Sequence, residues 1–243
     1  MWDSQTAQRY DAWFQTPPGA FALAREIRLI ERLTAGWPRR GQRLLEIGCG
    51  TGIFLEVLHG AGFDVTGLDL SPPMLEAARR RLGAKADLHL GDAGHLPFDD
   101  KAFEFGVLLT VLEFCPDPAL VLREAARVTK KALLVGHLNP FSCYGLAVRL
   151  CPGRSRGALA RARWFSPWAM GRLFRKALGR RPARTGCVLP GPMASWREQA
   201  PWRLLNAPIL SLPVGAFCAS VVNLTDEPVM TPLPAFKPKA CMG

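Results

Sequence analysis

The sequence is poor in the patterns that build metal sites and disulfide frameworks. It has four histidines and seven cysteines in 243 residues, and no two cysteines form a CxxC pair. The histidines do not complete the ligand spacing of a zinc site. We therefore expect no bound metal and no framework of disulfides.

The chain also lacks a stretch that is typical of a targeting signal or a membrane span. Residues 1–9 have neither the basic nor the apolar region of a secretory signal peptide. Two uncharged stretches, residues 132–148 and 204–225, are interrupted by asparagine, proline or glycine. These absences predict a cytoplasmic protein without a transmembrane segment.

Acidic residues are scarce in the second part of the sequence. Residues 1–140 carry 16 basic and 17 acidic side chains, whereas residues 141–243 carry 15 basic and 3 acidic ones. The segment 149–184 alone has eleven arginines and lysines and no carboxylate. This division predicts different tasks for the two parts of the chain.

Apolar patterning predicts an α/β fold. Helical spacing between Phe21 and Leu33 predicts an N-terminal helix, and the short apolar runs that follow alternate with helical patterns. Such alternation is typical of a parallel sheet with helices on both faces. Predicted strands cover residues 43–47, 64–68, 86–90, 103–110, 132–138, 184–189 and 215–224, and predicted helices between them cover 52–60, 72–82 and 118–129. A capping residue followed by proline marks three helix starts, at Ser71-Pro72, Asp117-Pro118 and Ser166-Pro167.

The clearest chemical motif begins at Leu44, where an apolar strand runs into three glycines at alternate positions, Gly48, Gly50 and Gly52. Glycine is used where the backbone turns sharply or approaches a ligand closely. Such loops bind nucleotides at the carboxyl edge of a parallel sheet. A nicotinamide dinucleotide fingerprint would have glycine at the position of Ile53, so we do not expect that cofactor.

Acidic residues also end the next two strands. Asp69 lies 17 residues after Gly52, at the edge of the neighbouring strand, where a carboxylate can accept hydrogen bonds from both hydroxyls of a ribose. Asp92 and Ala93 follow the third strand and are suitably placed for the edge of an adenine. The series predicts a site for a cofactor that contains adenosine.

Together these motifs resemble the class I S-adenosylmethionine-dependent methyltransferases, in particular the small-molecule branch that includes the ubiquinone and menaquinone biosynthesis methyltransferases. The resemblance covers roughly residues 40–140. It implies S-adenosylmethionine as cofactor and a Rossmann-like, seven-stranded, mostly parallel sheet whose last strand is antiparallel. It also implies a set of cofactor-binding residues, namely Tyr10, Glu46, Gly48, Cys49, Gly50, Gly52, Asp69, Leu70, Asp92, Ala93 and Thr110.

Two members of this set have an alternative interpretation. Tyr10 matches a short aromatic entry segment whose tyrosine closes over the cofactor in many such enzymes, but it also suits simple packing. Cys49 is interpreted as a space-filling residue of the loop. The resemblance further implies one structural domain in four parts: an N-terminal helical cover (1–40), a cofactor-binding core (41–140), a basic substrate lid with the sixth strand (141–213), and the last strand with the tail (214–243).

The expected reaction is methyl transfer to a small organic acceptor of anionic or lipid-like character. An RNA or protein methyltransferase that uses the basic lid, and a catalytically silent relative that only binds the cofactor, are the alternatives. Methyl transfer needs a general base only when the acceptor must lose a proton. Glu113 and His137 are candidate bases because they follow strands at the expected site, although His137 equally suits packing.

The basic segment 149–184 leaves several interpretations open. Trp164, Phe165 and Trp168 accompany its arginines, a combination that suits an anionic small molecule or an anionic membrane surface. Nucleic acid, bound through phosphate contacts and base stacking, is a further alternative. An ordinary amphipathic helix with solvated arginines explains the same composition.

Overall fold

The computed structural model describes residues 3–150 and 162–225, and its centre is one seven-stranded sheet. The strands are β1 Arg43–Ile47, β2 Asp64–Asp69, β3 Ala86–Leu90, β4 Phe103–Leu109, β5 Thr129–Leu138, β6 Arg184–Val188 and β7 Phe217–Asn223. Their order is β3-β2-β1-β4-β5-β7-β6. The first five strands pair in parallel, and β7 is antiparallel to both β5 and β6. The predicted sheet, including its antiparallel last strand, is confirmed.

Helices flank the sheet and cover its carboxyl edge. They are α1 Ser4–Gln15, α2 Pro17–Leu33, α3 Ile53–Gly60, α4 Pro72–Leu82, α5 Pro118–Val128, α6 Cys143–Leu150, α7 Pro167–Leu178 and α8 Trp202–Asn206. The three predicted caps are confirmed, since the side chains of Ser71, Asp117 and Ser166 accept hydrogen bonds from the first turns of α4, α5 and α7. The helical spacing predicts a helix only between Phe21 and Leu33, whereas the structure has a further helix before it, α1, which is capped by Asp3.

The core lies on both faces of the sheet because neighbouring strand residues point to opposite sides. Leu44 belongs to the apolar cluster under α2 and α3, whereas Leu45 belongs to the cluster under α5 and α7. Trp37 stacks on Phe105 at a ring distance of 4.2 Å and closes the first cluster. The central strands are thereby fixed, and their carboxyl ends form one edge.

A buried cysteine pair corrects one expectation from the sequence. Cys187 of β6 and Cys218 of β7 are register partners with Cα atoms 4.1 Å apart, and they form a disulfide. Their separation of 31 residues carries no local signal, and only the antiparallel register brings them together. In the described residues, no group of side chains has the arrangement of a metal site, and no helix is long and apolar enough to cross a membrane.

Two parts of the predicted organisation are only partly described. Residues 151–161 of the basic segment and residues 226–243 of the tail lie outside the described residues.

β5 begins at Thr129 rather than at the predicted Ala132, because Thr129 pairs with Phe103 before a register shift. The segment between β5 and β6 contains α6 and α7, and its role as a substrate lid stays a prediction.

Candidate cofactor site

The glycine loop is pinned to the end of β2. The backbone N–H groups of Gly48 and Cys49 both donate to the carbonyl of Leu68, at 2.6 and 3.0 Å. Gly48 has a φ of 72°, and a Cβ built there would lie 2.5 Å from Cγ2 of Val111. Only glycine combines the left-handed backbone with this close approach, which explains the first glycine of the motif.

Gly50 borders open space. Its φ is 54°, and apart from Gly50 and its two chain neighbours no residue has a heavy atom within 4 Å of the position that a Cβ would take. Its N–H donates to Oδ2 of Asp69 at 2.8 Å. A left-handed glycine beside empty space, with its amide fixed from one side, has the form of a cradle for a ligand.

The carboxylate of Asp69 is held in place from two sides. Oδ2 accepts from Gly50, and Oδ1 accepts from the N–H of Ser71 at 2.9 Å. Burial raises the pKa of Asp69, and the hydrogen bonds from Ser71 and Gly50 oppose that shift. Because a carboxylate oxygen accepts more than one hydrogen bond, capacity remains for ribose hydroxyls. Leu70 beside it is 70% exposed, which leaves an apolar surface next to the carboxylate.

Asp92 lies on the neighbouring strand edge, as the sequence predicts. The N–H of Gly91 donates to the carbonyl of Asp69 at 3.0 Å and ties the end of β3 to the end of β2. Asp92 is exposed, and its Oδ1 accepts from the N–H of Gly94 at 2.8 Å. Ala93 is half-buried against the apolar cluster under α5. The two predicted acids are therefore adjacent along the same edge.

Helix α1 is fastened over the glycine loop by a polar latch of Asp11, Thr51 and Arg81. The Thr51 hydroxyl donates to Oδ1 of Asp11 at 2.6 Å, and the Arg81 guanidinium pairs with the same oxygen at 3.1 Å. Nε of Arg81 also donates to the carbonyl of Thr51 at 3.0 Å. The latch brings Tyr10, the residue before Asp11, to the carboxyl edge of the sheet.

Tyr10 lies near acidic side chains from four elements, α1, α2, β1 and β2. Burial raises its pKa most, and the charges of Glu26, Glu46, Asp11 and Asp69 raise it further. Its ring also meets Phe14 edge to face at 5.1 Å. Tyr10 thus has both the packing contact of a structural residue and a location beside the predicted site.

Glu46, near the carboxyl end of β1, has a buried side-chain oxygen without a hydrogen-bond donor. Its side chain is 2% exposed, and Oε2 has no hydrogen-bond partner among the described residues. Burial, followed by the charge of Asp69, raises its pKa well above the usual value. A buried carboxylate oxygen without a donor is costly, so a ligand that supplies a donor or a positive charge fits here.

Glu26 is a candidate residue that the sequence analysis missed. It lies four residues after Ala22 and four before Ile30, both buried, and so belongs to the inward face of α2. Glu26 is half-buried, burial raises its pKa to about 8, and it makes no hydrogen bond or ion pair with other described residues. The detectable signal was a glutamate within the apolar stripe of a helix.

Thr110 and Glu113 lie after β4. Thr110 has a φ of 52°, uncommon for a β-branched residue, and its N–H donates to the carbonyl of Gly136 at 2.9 Å. Glu113 is 2% exposed, and its Oε1 accepts from the N–H of Leu138 at 2.8 Å. Burial raises the pKa of Glu113 to about 7. Its carboxylate joins the ends of β4 and β5.

His137 is enclosed at the end of β5. Its side chain is fully buried, and burial lowers its pKa to about 4. The imidazole is therefore neutral at physiological pH. Of the two predicted bases, Glu113 has the pKa closer to neutrality, but both lie inside the protein.

Known proteins that resemble this chain are methyltransferases. Residues 45–134 match a family described as a methyltransferase domain. The malonyl-[acyl-carrier protein] O-methyltransferase of Serratia marcescens is 39% identical over 128 residues, or 52% of this chain and 46% of that protein. A demethylmenaquinone methyltransferase of Staphylococcus aureus is 35% identical over 102 residues, or 40% of this chain and 42% of that protein. The chain thus matches less than half the length of these curated relatives.

A solved structure extends the likeness to nearly the whole chain. It is an S-adenosylmethionine-dependent methyltransferase of Thermotoga maritima, described as a possible histamine N-methyltransferase. The two chains are 28% identical, with a TM-score of 0.74 over 93% of this chain and all of that one. Residues 45–134 thus match a methyltransferase domain, and the whole chain is similar in fold to an S-adenosylmethionine-dependent methyltransferase.

Proposed function

We propose that the protein transfers the methyl group of S-adenosylmethionine to a small organic acceptor. The observation that carries the proposal is the ordered carboxyl edge, where an open cradle at Gly50 adjoins a carboxylate fixed by two backbone amides. The unsatisfied Oε2 of Glu46 at the same edge suits a cationic ligand. These features fit the methyltransferases to which the chain is similar.

The residues present fit this cofactor. Asp69 would bind the ribose, Asp92 and Ala93 the adenine, and Glu46 with the glycine loop the methionine part, under Tyr10. When bound, S-adenosylmethionine would supply an electrophilic methyl group, which the acceptor attacks in line as the carbon–sulfur bond breaks and S-adenosylhomocysteine leaves. The protein contributes mainly alignment, which can be worth roughly 7 to 11 kcal/mol. The fixed carboxylate of Asp69 and the latched α1 suit that task.

We infer that Glu26 acts on the acceptor side as general base. Its carboxyl group is unpaired within the described residues and only half-buried. Glu113, by contrast, is 2% exposed and accepts from the amide of Leu138 through Oε1, and His137 has a pKa of about 4 in a fully buried site. A carboxyl group whose pKa is about 8 is a stronger base than an ordinary glutamate, as proton abstraction from an acceptor requires.

The experiment that tests the function supplies purified protein with methyl-labelled S-adenosylmethionine and a host-cell extract. Label is then counted separately in small-molecule, lipid, RNA and protein fractions. We expect label in the small-molecule or lipid fraction. Label in RNA or protein would replace this proposal with the alternative that uses the basic lid.

Binding of S-adenosylhomocysteine, measured by calorimetry, separates two kinds of failure. Binding without label in any fraction would favour a catalytically silent relative. An absence of binding would contradict the assignment of S-adenosylmethionine as the cofactor. A variant that places a side chain in the cradle, Gly50→Val, serves as the negative control, because a branched residue neither fits the left-handed backbone nor leaves the cradle open.

We further propose the cytoplasm as the working compartment. The disulfide between Cys187 and Cys218 argues against this proposal, because disulfides are uncommon in the cytoplasm. Titration of thiols in unfolded protein that was purified under thiol-blocking conditions tests it. All 7 cysteines would react as thiols in a protein kept reduced, and two fewer would react if the pair is oxidised in the cell.

A further inference from the structure

Exposed apolar side chains are concentrated in one part of the molecule. Of the 12 large apolar side chains that are strongly exposed among the described residues, only Leu70 and Leu90 precede residue 141. The others are Phe141, Leu146, Leu150, Trp168, Met193, Trp202, Leu204, Leu205, Leu212 and Val214. Clustered exposure of this kind marks a surface that meets an apolar partner.

Five of these side chains form what we call the apolar rim: Phe141, Leu146, Trp168, Leu212 and Val214. The rings of Phe141 and Trp168 are 6.2 Å apart. The buried side chain of Asn139 donates to the carbonyls of Pro213 and Gly215 at 2.8 and 3.1 Å, and it accepts from the N–H of Phe141. The loop before β7 and the start of α6 are thereby held side by side.

Basic residues flank the apolar rim. Arg172 lies one turn after Trp168 on α7, and Arg149 lies three residues after Leu146 on α6, so each arginine shares a helix face with a rim residue. Both arginines are exposed. Residues 141–214 contain 13 basic side chains and one acidic side chain, Glu198, which is paired with Arg25 at 3.2 Å.

We propose that the apolar rim, with Arg149 and Arg172, docks on the surface of an anionic phospholipid bilayer. Leucine, valine and aromatic side chains enter the boundary between head groups and acyl chains, while arginines bind the phosphates. A nucleic acid would use the arginines and the rings, but it offers no apolar phase to the aliphatic side chains of Leu146, Leu212 and Val214. The rim adjoins Asn139, directly after β5, and so lies beside the carboxyl edge of the sheet.

Flotation of the full chain with vesicles tests the proposal. One vesicle type contains equal parts of phosphatidylglycerol and phosphatidylcholine, and the other contains phosphatidylcholine alone. The double variant Phe141→Ser with Trp168→Ser removes apolar surface, and Arg149→Gln with Arg172→Gln removes charge. Leu90→Ser is a matched control, since Leu90 and Trp168 are each 58% exposed. Arg79→Gln, exposed on α4, controls for loss of charge elsewhere.

The wild-type protein should bind the anionic vesicles in preference to the neutral ones, and added salt should weaken binding. Each lost arginine should weaken binding about fivefold, and the apolar double variant should weaken it at least about tenfold. Both controls should bind like the wild type. Thermal unfolding and affinity for S-adenosylhomocysteine should be unchanged in every variant, so a loss of docking is distinguishable from a loss of folding or of cofactor binding.

Three results would overturn the docking surface. One is equal binding to anionic and neutral vesicles, or none to either. Another is undiminished binding by both double variants. The third is a preference for unfractionated tRNA over anionic vesicles with the same dependence on Arg149 and Arg172, which would assign the surface to nucleic acid.

Discussion

The two parts of the chain present different surfaces at the same edge of the sheet. The part before residue 139 builds its site from backbone amides that hold carboxylates, as Gly50 and Ser71 hold Asp69. The part after residue 139 instead presents large apolar side chains and arginines. The first arrangement recognises a ligand of fixed shape, whereas the second suits an extended or variable partner. The match to the methyltransferase domain, residues 45–134, lies within the first part.

The largest effect is expected from a substitution of Asp69, in the part of the chain before residue 139. Asp69→Ala removes the acceptor of two backbone hydrogen bonds together with the carboxylate that is proposed to bind ribose. A charge-assisted hydrogen bond is worth roughly 1.5 to 3 kcal/mol, so affinity for S-adenosylhomocysteine should fall at least about 100-fold in calorimetry. Asp87→Ala, an exposed aspartate on β3, is the matched control. Equal affinity in the two variants would refute the role of Asp69.

The second prediction is that Asn139 stabilises the loop before β7 without affecting the proposed cofactor site. Asn139→Ala removes three hydrogen bonds from a fully buried side chain and leaves their partners unsatisfied. The free energy of unfolding should fall by about 3 kcal/mol. Hydrogen exchange should accelerate in residues 212–216 while residues 43–47 stay protected. Uniform acceleration in both ranges would contradict a local role, and Gln42→Ala, which removes one contact with Lys131, should change little.

The third prediction concerns the proposed base. Glu26→Gln should slow methyl transfer to the labelled acceptor fraction about 100-fold, because general base catalysis contributes at least that much. The pKa of Glu26 is raised to about 8, so its carboxyl group is protonated below that pH. Wild-type activity should therefore rise as the pH passes through 8, and the variant should lose this limb of the profile.

The matched control for Glu26 is Glu31→Gln, an exposed glutamate on the same helix. Both variants should keep the wild-type affinity for S-adenosylhomocysteine. If Glu26→Gln weakened that affinity and left the pH profile intact, Glu26 would be a cofactor contact rather than a base.

The smallest effect is expected from a substitution that tests whether the latch on α1 supports cofactor binding. Thr51→Val removes the hydrogen bond between the Thr51 hydroxyl and Asp11 but leaves the ion pair of Asp11 with Arg81. One such bond is worth roughly 1 kcal/mol, so affinity for S-adenosylhomocysteine should fall about fivefold in calorimetry. Thr6→Val, which alters the exposed start of the same helix, should have no effect. A similar loss in both variants would contradict the specific role of the latch.

The sequence predicts the first part of the molecule well because its signals are local. β1, α4 and β3 have the predicted bounds, since apolar alternation and a serine-proline cap act within a few residues. The motif also predicts the location of Asp69, because the carboxyl ends of parallel strands meet at one edge.

The missed features depend on contacts between distant residues. Asn139 acts through carbonyl groups 74 and 76 residues away, and Cys187 meets Cys218 only through strand register. Glu26 acquires its raised pKa from the burial of α2, which a helix pattern alone does not quantify. The left-handed backbone of Thr110 has no signal in a β-branched residue.

The position of β7 between β5 and β6 has a consequence for synthesis on the ribosome. β6 leaves the ribosome before β7, yet the described sheet has no other strand that pairs with it. The loop that Asn139 holds also precedes β7, so it gains its neighbour strand last. In the nascent chain, the proposed cofactor edge can therefore form before residues 217–223 of β7 have been translated. A translation pause before β7 would leave the surface proposed to meet lipid synthesised but without the strand that follows it in the sheet.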